Sequence, residues 1–311
     1  MSTVLLCPGQ GTQHVGMGRD LAETFPAARR VFEEVDEALG FNLSALMWEG
    51  PEDELTRTHN AQPAILTHTM AVYAVIGDSI SPRFGAGHSL GEYSAYAAAG
   101  TLGVAEAAQL VRRRGELMLE AGEARPGTMA AVIGLEAERV RELCEQCSNG
   151  ERVVVPANIN TNDQTVISGD PPAVVEAGER CKDAGARKVL PLKVSGAFHS
   201  PLMEPARRGL TRELTSVALA DPAFPVIANA TATPVEDAIT AAELLASQLT
   251  SPVEWVSSMK LAAEHAGGEM NFVEVGPGKV LSGLVRRAVR GCQTVAIGSA
   301  RDVEQFVAGV A

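Results

Sequence analysis

Apolar segments bounded by glycine and proline alternate along the chain with stretches in which apolar residues recur every three to four positions. The first kind is typical of buried strands and the second of amphipathic helices, so the pattern predicts an α/β fold. A first strand begins at Val4 and ends in a glycine turn at Pro8. Helices follow it, and then a short strand, PRFGAG, leads into two further helices that end near Glu123.

The segment from Gly127 to Val194 is compact and has its own order of elements. It contains in turn strand TMAAVIGL, helix EAERVRELCEQC, strands VVVPANI and QTVISG, helix PAVVEAGERCKDAG and strand RKVLPLKV. This βαββαβ order is ferredoxin-like and can fold as a unit. The α/β pattern then resumes, with strands near PVIANA and NFVEVG. We therefore expect an inserted subdomain and a ligand site in the cleft between it and the larger body.

Composition and charge narrow the possible partners. The 311 residues, 46% of them hydrophobic and 21% charged, suffice for one large or two modest domains with a packed core. No segment approaches the roughly 18 consecutive apolar residues of a membrane span, and the N-terminus lacks the basic stretch of a signal peptide. We therefore expect no membrane partner and a cytoplasmic location. The net charge of -12 argues against a nucleic-acid partner, which needs a basic face.

Five cysteines occur without the spacing of a disulfide framework, which suits a reducing compartment. Cys144 and Cys147 form a C-x-x-C motif, but no second pair and no nearby histidine complete a zinc site. Because the motif falls in a helical run, we expect buried thiols there and no metal.

A candidate nucleophile stands in Gly87-His88-Ser89-Leu90-Gly91, which fits the G-x-S-x-G pattern of a strand-to-helix elbow. The pattern alone is weak, and an incidental turn serine is the alternative. Its context supports the elbow, because a strand precedes it and an alanine-rich helix, EYSAYAAAG, follows with its N-terminal amides near the serine. We therefore predict that Ser89 is a nucleophile.

A serine nucleophile needs a base within hydrogen-bond reach, and six histidines compete for that role. His88 adjoins the serine and would point away from the elbow. His265 ends a helix near the C-terminus, where the helix dipole alone accounts for a histidine. His199 lies in the loop VSGAFHSPLM at the exit from the inserted segment, where it can face the cleft. Position in the sequence favours His199 as the base but does not exclude His265.

The helix VAEAAQLVRRRGELMLEAG carries an arginine within its apolar stripe. At about 100° per residue, Arg114 falls in the middle of the face that includes Val111 and Met118. A buried guanidinium needs an anionic partner, since an unpaired buried charge costs several kcal/mol. The partner is either a protein carboxylate in a structural ion pair or a substrate carboxylate, which a guanidinium binds bidentately.

The glycine-rich segment PGQGTQ at residues 8–13 follows the first strand and lacks the G-K-[ST] end of a phosphate loop. Such a turn at the carboxyl end of a strand can direct a backbone N–H at a developing oxyanion. We predict the backbone amides of Gln10 and of Leu90, the residue after the serine, as the two donors.

Six motifs span essentially the whole chain: PGQGTQ at 8–13, NAQPAI at 60–65, GHSLGEYSA at 87–95, RRRG at 112–115, GAFHSPLM at 196–203 and EVGPGKVLSGLVRR at 274–287. With this set the chain resembles the malonyl-CoA:acyl-carrier-protein transacylases of fatty-acid synthesis, relatives of the acyltransferase domains of polyketide synthases. The resemblance implies an α/β-hydrolase-like larger subdomain formed by residues 1–126 and 196–311. A ferredoxin-like smaller subdomain, residues 127–195, would be inserted in it.

The resemblance also implies roles for the candidate residues. Ser89 would be the nucleophile and His199 its base, which settles the choice between the two histidines. Arg114 would bind the malonyl carboxylate, and the amides of Gln10 and Leu90 would form the oxyanion hole.

Four residues are expected to support the site, three of them because of the same resemblance. The main-chain carbonyl of Gln248 would orient the catalytic histidine in place of an aspartate. Gln62 would line the substrate pocket, and Phe198 would favour malonyl over methylmalonyl groups. His88, beside the nucleophile, is counted with them.

The implied reaction is a ping-pong transfer of a malonyl group from malonyl-CoA to the phosphopantetheine thiol of acyl carrier protein. It would proceed through a malonyl-serine without a metal or redox cofactor. One alternative is an acyl-CoA thioesterase or hydrolase, in which water takes the second step. Another is a catalytically silent carrier-binding module, which would have no need of a reactive serine.

An acidic enzyme must receive an acidic carrier protein through a local basic surface. Two clusters of basic residues are candidates for that surface, although either could be an ordinary solvated face. They are Lys182, Arg187 and Lys188 on the inserted segment, and Lys279, Arg286, Arg287 and Arg290 toward the C-terminus.

Overall fold

A computed structural model describes residues 2–265 and 270–310 of the chain. Within these ranges the strands form one sheet of six and another of four, so the predicted mixed α/β fold is confirmed. In chain order the strands are β1 (Ser2–Cys7), β2 (Pro82–Gly87), β3 (Thr128–Ile133), β4 (Val154–Thr161), β5 (Gln164–Gly169), β6 (Lys188–Pro191), β7 (Val226–Ile227), β8 (Pro234–Val235), β9 (Met270–Val275) and β10 (Gln293–Ile297).

Helices connect most of these strands. In the described ranges they are α1 (Arg19–Thr24), α2 (Pro26–Leu39), α3 (Leu43–Glu49), α4 (Glu52–Thr56), α5 (Thr58–Ile76), α6 (Leu90–Ala98), α7 (Val104–Ala124), α8 (Ala137–Cys147), α9 (Pro171–Asp183), α10 (Glu204–Ser216), α11 (Ala238–Ser247), α12 (Trp255–Glu264), α13 (Val280–Ala288) and α14 (Ala300–Val310). No helix among them is both long and apolar enough to cross a membrane.

The larger sheet has the strand order β10-β9-β1-β2-β7-β8. All neighbouring strands pair in parallel except β7 and β8. Successive residues of β1 alternate between two apolar clusters, with Leu5 in one and Val4 and Leu6 in the other. Both faces of the sheet are therefore buried, as expected for parallel strands. The carboxyl ends of β1 and β2 meet at one edge, where Cys7 pairs with Gly87.

The smaller sheet is antiparallel and has the order β4-β5-β3-β6. The helices α8 and α9 cover one of its faces around Val132, Leu143 and Ile167. The predicted βαββαβ succession is therefore present. The last strand is shorter than predicted, because β6 ends at Pro191 and the residues after it, Leu192 to Val194, line the cleft instead.

The smaller sheet is tied to the larger body at β4. Ile159 N donates a hydrogen bond of 2.9 Å to the carbonyl of Val253, and Val253 N donates one of 2.8 Å to the carbonyl of Ala157. Val253 follows closely on Gln248. The segment that carries one of the predicted site residues is therefore fixed to both parts of the chain.

Candidate active site

Ser89 occupies a sharp turn between β2 and α6. Its backbone has φ 52°, in the left-handed region that few non-glycine residues adopt. A Cβ on Gly87 would overlap the backbone of Gly91, and a Cβ on Gly91 would overlap the carbonyl of Cys7. The two glycines of the G-x-S-x-G pattern are therefore needed for close approach of the backbone, and the turn lifts the serine above the end of the sheet.

His199 lies directly beside the serine. Its Nε2 is 2.7 Å from Ser89 Oγ, and its Nδ1 is 2.9 Å from the carbonyl oxygen of Gln248. A carbonyl can only accept, so Nδ1 carries the hydrogen and Nε2 is free to accept the serine proton. The arrangement is a nucleophile, a base and a group that orients the base, with a carbonyl in the third position.

The surroundings of His199 keep its imidazole neutral. The ring is buried, and its backbone has φ 56°. Burial, and then the positive charge of Arg114, lower the pKa of His199 to about 3, although the Gln248 carbonyl acts in the opposite direction. The histidine is therefore in its proton-accepting form at neutral pH.

Arg114 reaches the serine from the buried stripe of α7, as its position in that stripe predicted. Its side chain is 1% exposed, and its Nη2 donates to Ser89 Oγ at 3.1 Å. The same Nη2 donates to Gln248 Oε1 at 2.8 Å, and Nη1 donates to Gln62 Oε1 at 2.7 Å. None of the ion pairs found in the described residues includes Arg114. Its neighbours are thus neutral oxygens, which leaves the guanidinium without a direct protein carboxylate.

The remaining predicted residues border the same space. Gln62 is buried on α5, and its Nε2 lies 3.3 Å from the sulfur of Met118. Phe198 precedes the catalytic histidine and lines the cleft. His88 points away from the serine, with Nε2 2.9 Å from Asn160 Oδ1 on β4. Burial lowers the pKa of His88, so this contact links a neutral ring to the smaller sheet.

The two predicted oxyanion donors lie on neighbouring strand ends. Leu90 is the first residue of α6, and Gln10 lies in the loop that follows β1. His88 N donates to the carbonyl of Cys7 at 3.1 Å, which holds that loop against the elbow. The side chain of Gln10 is turned toward Thr58, with Nε2 3.3 Å from its hydroxyl.

A cleft of about 640 Å³ opens over the serine between the two sheets. Gln10, Ser89 and His199 line it from the larger body, and Met129 and Asn158 line it from the smaller sheet. Its position agrees with the expected ligand site between the inserted segment and the body.

Sequence reasoning missed the residue that holds the elbow in place. Asn229, which follows β7, accepts a hydrogen bond from Ser89 N at 2.7 Å through Oδ1 and donates through Nδ2 to the carbonyl of Gly87 at 2.7 Å. Only the three-dimensional pairing of β7 with β2 brings Asn229 there. It also missed Glu92, a buried carboxyl in the first turn of α6.

The rival histidine and the cysteines lie elsewhere. His265 caps the end of α12, with Nδ1 2.9 Å from the carbonyl of Leu261, and its ring packs against Phe84 near the start of β2. Cys144 and Cys147 are free and buried, and burial raises the pKa of both thiols. In residues 2–265 and 270–310 no group of three or more histidine, cysteine or acidic side chains could hold a metal ion.

Comparison with known proteins agrees with this geometry. The acyl transferase domain family matches residues 4–310. The chain is 46% identical over 301 residues to the malonyl CoA-acyl carrier protein transacylase of Bacillus subtilis, covering 96% of this chain and 94% of that protein. The Escherichia coli transacylase of the same name is 43% identical over 284 residues, with 91% of each chain covered.

Solved structures give the same result. An acyl carrier protein S-malonyltransferase from Vibrio cholerae superposes with a TM-score of 0.94 at 39% identity, covering 98% of this chain and 99% of that one. A malonyl-transacylase solved in complex with a type II PKS acyl-carrier protein superposes with a TM-score of 0.94 at 37% identity, covering 99% and 100%. The resemblance seen in the sequence motifs is confirmed: the chain belongs to the acyl transferase domain family and, within it, to the malonyl CoA-acyl carrier protein transacylases.

Proposed function

We propose that the protein transfers a malonyl group from malonyl-CoA to the phosphopantetheine thiol of an acyl carrier protein. The observation that carries the proposal is the contact of Ser89 Oγ with both His199 Nε2, at 2.7 Å, and Arg114 Nη2, at 3.1 Å. His199 is placed to activate the hydroxyl. The Arg114 guanidinium beside it pairs with no carboxylate of the described residues and can therefore bind that of a substrate. The names of the relatives and the carrier complex of one of them support the same reaction.

In the first half-reaction Ser89 Oγ attacks the thioester carbonyl of malonyl-CoA, and His199 Nε2 takes the hydroxyl proton. The backbone amides of Gln10 and Leu90 receive the charge that develops on the carbonyl oxygen. Arg114 pairs with the free carboxylate of the malonyl group. Coenzyme A then leaves as its thiol with the proton from His199, and malonyl-serine remains.

The second half-reaction reverses these steps with a different thiol. His199 takes the proton of the phosphopantetheine thiol, which attacks the malonyl-serine carbonyl, and Ser89 recovers its proton. A thioester becomes an ester and again a thioester, so the transfer balances without an oxidant or a reductant. We predict that the transfer needs no cofactor. We also predict a cytoplasmic location.

We further propose that the two parts of the chain are the subdomains implied by its family. Residues 1–126 and 196–311 would form the α/β-hydrolase-like catalytic subdomain, and residues 127–195 the ferredoxin-like one. The strand order β4-β5-β3-β6 with two helices on one face supports the second assignment. The nucleophile elbow at the end of a parallel strand supports the first.

Steady-state kinetics test the proposed transfer. Varying malonyl-CoA at several fixed concentrations of carrier protein should give parallel double-reciprocal lines, because the first product leaves before the second substrate reacts. Intersecting lines would indicate a ternary complex and contradict the malonyl-serine route. Release of free malonate as fast as malonyl-carrier forms would favour the hydrolase.

Replacing Arg114 with alanine should lower malonyl transfer while sparing or raising transfer from acetyl-CoA. Acetyl lacks the carboxylate that the guanidinium binds, and loss of one desolvated charge-assisted pair is worth about 2–5 kcal/mol. The ratio of kcat/KM for the two substrates measures the effect.

Arg113→Ala is the matched control for this prediction. Arg113 lies on the same helix but on its exposed side, where it pairs with Glu116, Glu120 and Glu213. The Arg113→Ala variant should leave the ratio of kcat/KM for malonyl-CoA and acetyl-CoA unchanged. An equal loss with both substrates in Arg114→Ala, together with a lower melting temperature, would mean that Arg114 has a structural role only.

The two basic clusters predicted from the sequence meet in the structure. Arg187 Nη2 lies 2.9 Å from one carboxylate oxygen of Asp163, and Arg287 Nη2 lies 2.7 Å from the other. With Lys188 they line a surface groove of about 500 Å³. β6 connects Lys188, in this groove, with Leu192 to Val194, which line the cleft over Ser89. Lys182 instead pairs with Glu179, on α9.

Charge reversal in this groove should weaken transfer to the carrier and not the first half-reaction. Lys188→Glu with Arg287→Glu should lower kcat/KM for the carrier by about tenfold or more at low salt, because rim charges act mainly on association. Formation of malonyl-serine from malonyl-CoA should be almost unchanged. Lys182→Glu with Arg286→Glu makes the same change in net charge outside the groove and serves as the control. Equal carrier kinetics in the two double variants would place docking on another surface.

A further inference from the structure

Two opposite charges are buried behind Ser89 and do not touch. Arg114 is 1% exposed and Glu92 is 0% exposed. Arg114 contributes to none of the ion pairs of the described residues, and neither does Glu92. Glu92 Oε2 accepts from Gln248 Nε2 at 2.7 Å and from Asn229 N at 3.1 Å, and Oε1 has no hydrogen-bond partner in the part of the chain that the structure describes.

The side-chain amide of Gln248 lies between the two charges. Its Nε2 donates to the Glu92 carboxylate, and its Oε1 accepts from Arg114 Nη2 at 2.8 Å. The charges define one orientation of the amide, since a reversed amide would turn its donors toward the guanidinium and its oxygen toward the carboxylate. Each of the two hydrogen bonds is charge-assisted.

The oriented Gln248 also contacts the residues that react. Gln248 Nε2 also lies 2.9 Å from the carbonyl oxygen of Ser89, and the backbone carbonyl of Gln248 accepts from His199 Nδ1 at 2.9 Å. A carboxylate placed directly on Arg114 would occupy the donors that a substrate carboxylate needs. A carboxylate one amide away compensates the guanidinium charge and leaves Arg114 Nη2 directed at Ser89 Oγ.

We propose that Glu92 is a positioning residue which, through the Gln248 amide, holds Arg114 toward Ser89 without blocking it and so sets the preference for carboxylate-bearing acyl groups. The proposal rests on the proposed malonyl transfer. It assigns to Glu92 no contact with the substrate.

Ionisation of the Glu92 carboxyl does not stabilise the fold. Burial raises its pKa to about 7, against the lowering effect of Gln248, Asn229 and Arg114. A group whose pKa is higher in the folded than in the unfolded state contributes stability below its unfolded pKa, and that stability is lost as the pH rises through the folded value. Above about pH 7 the ionised carboxylate therefore costs stability, and the start of α6 offsets this only in part.

Glu92→Gln separates position from stability, because the amide oxygen can still accept from Gln248 and Asn229 while the charge is removed and an NH2 group replaces Oε1, which has no hydrogen-bond partner among the described residues. The preference for malonyl-CoA over acetyl-CoA, measured as a ratio of kcat/KM values, should fall about tenfold. The melting temperature at pH 8 should equal or exceed that of the wild type. In an Arg114→Ala background the same substitution should cause no further loss of preference, because Glu92 acts through that guanidinium.

The pH profile gives a second readout. In the wild type the malonyl preference should rise from about pH 6 to about pH 8 as Glu92 ionises, and in Glu92→Gln it should be flat. Among the other groups that face Glu92 or lie next to it, burial raises the pKa values of Tyr93, Tyr96 and Cys7 and lowers those of His88 and His199, in each case away from neutral pH. Burial also lowers the pKa of Arg114, but a guanidinium remains charged in proteins.

A charge exchange tests the spacing of the two charges. Glu92→Gln combined with Gln248→Glu keeps one buried carboxylate but places it directly on Arg114, and it also removes the donor that Gln248 presents to the Ser89 carbonyl. This double variant should fold and lose its preference for malonyl-CoA. A double variant that keeps the preference would overturn the proposal.

Formation of malonyl-serine by the wild type distinguishes failure of this inference from failure of the proposed function. If the wild type forms no malonyl-serine from malonyl-CoA, the proposed transfer itself is wrong. If it does, an unchanged or increased malonyl preference in Glu92→Gln contradicts the positioning role. Failure of both Glu92→Gln and the charge exchange to fold would show a structural carboxyl and overturn the inference as well.

Discussion

Replacing Ser89 with alanine should abolish covalent labelling by malonyl-CoA and lower malonyl transfer by several orders of magnitude. Its Oγ is the hydroxyl held by both the base and the guanidinium, at 2.7 Å and 3.1 Å. Nucleophile and base act as a unit, so loss of one removes most of the contribution of both. Mass spectrometry of the intact variant after mixing with malonyl-CoA measures the labelling.

Ser195→Ala is the control for this substitution. Ser195 also lines the cleft, but its hydroxyl contacts Thr58, at 3.3 Å, and not the histidine. This variant should still be labelled. Labelling that persists in Ser89→Ala would mean that another side chain is the nucleophile and that the assignment of the elbow is wrong.

Replacing His199 with alanine should slow both half-reactions by several orders of magnitude. The neutral imidazole is held by the Gln248 carbonyl on one side and accepts from the serine on the other, so no other described group is placed to take the proton. Adding Ser89→Ala to His199→Ala should cause little further loss, since the two residues act in one step. Rates of malonyl-serine formation and discharge measure the effect.

His265→Ala gives the comparison for the base. His265 lies at the end of α12 with its ring against Phe84, so this variant should transfer malonyl groups almost as the wild type does. If His265→Ala is the more damaging substitution, the base has been assigned to the wrong histidine.

The elbow and the buried arginine could be predicted because each has a local sequence signature, a G-x-S-x-G motif and an apolar stripe of helical period. Two close backbone approaches require Gly87 and Gly91, and the period of an α-helix places Arg114 within an apolar stripe. The inserted segment could also be predicted locally, because the spacing of its apolar residues changes between that of a strand and that of a helix in the order βαββαβ. The choice of His199 over His265 was not, since spacing left both open and only the resemblance to a family decided it.

Contacts between distant segments could not be predicted in this way. Asn229 reaches the elbow only because β7 pairs with β2, and Glu92 reads from sequence as an ordinary acidic residue in the first turn of a helix. The shared contact of Arg187 and Arg287 with Asp163 joins three segments far apart in the chain. The edge strand β10 was not predicted, because only its last residue, Ile297, is buried and it lacks the buried apolar run of the central strands.

The most direct test of the proposed transfer is a two-step experiment on the wild-type protein. Brief mixing with malonyl-CoA, followed by removal of free coenzyme A thioester, should leave one malonyl group per chain, on Ser89. Addition of phosphopantetheinylated carrier protein should then discharge that group and yield malonyl-carrier in equal amount, with little free malonate. Failure to form malonyl-serine, or its discharge as malonate at the same rate with and without carrier, would contradict the account.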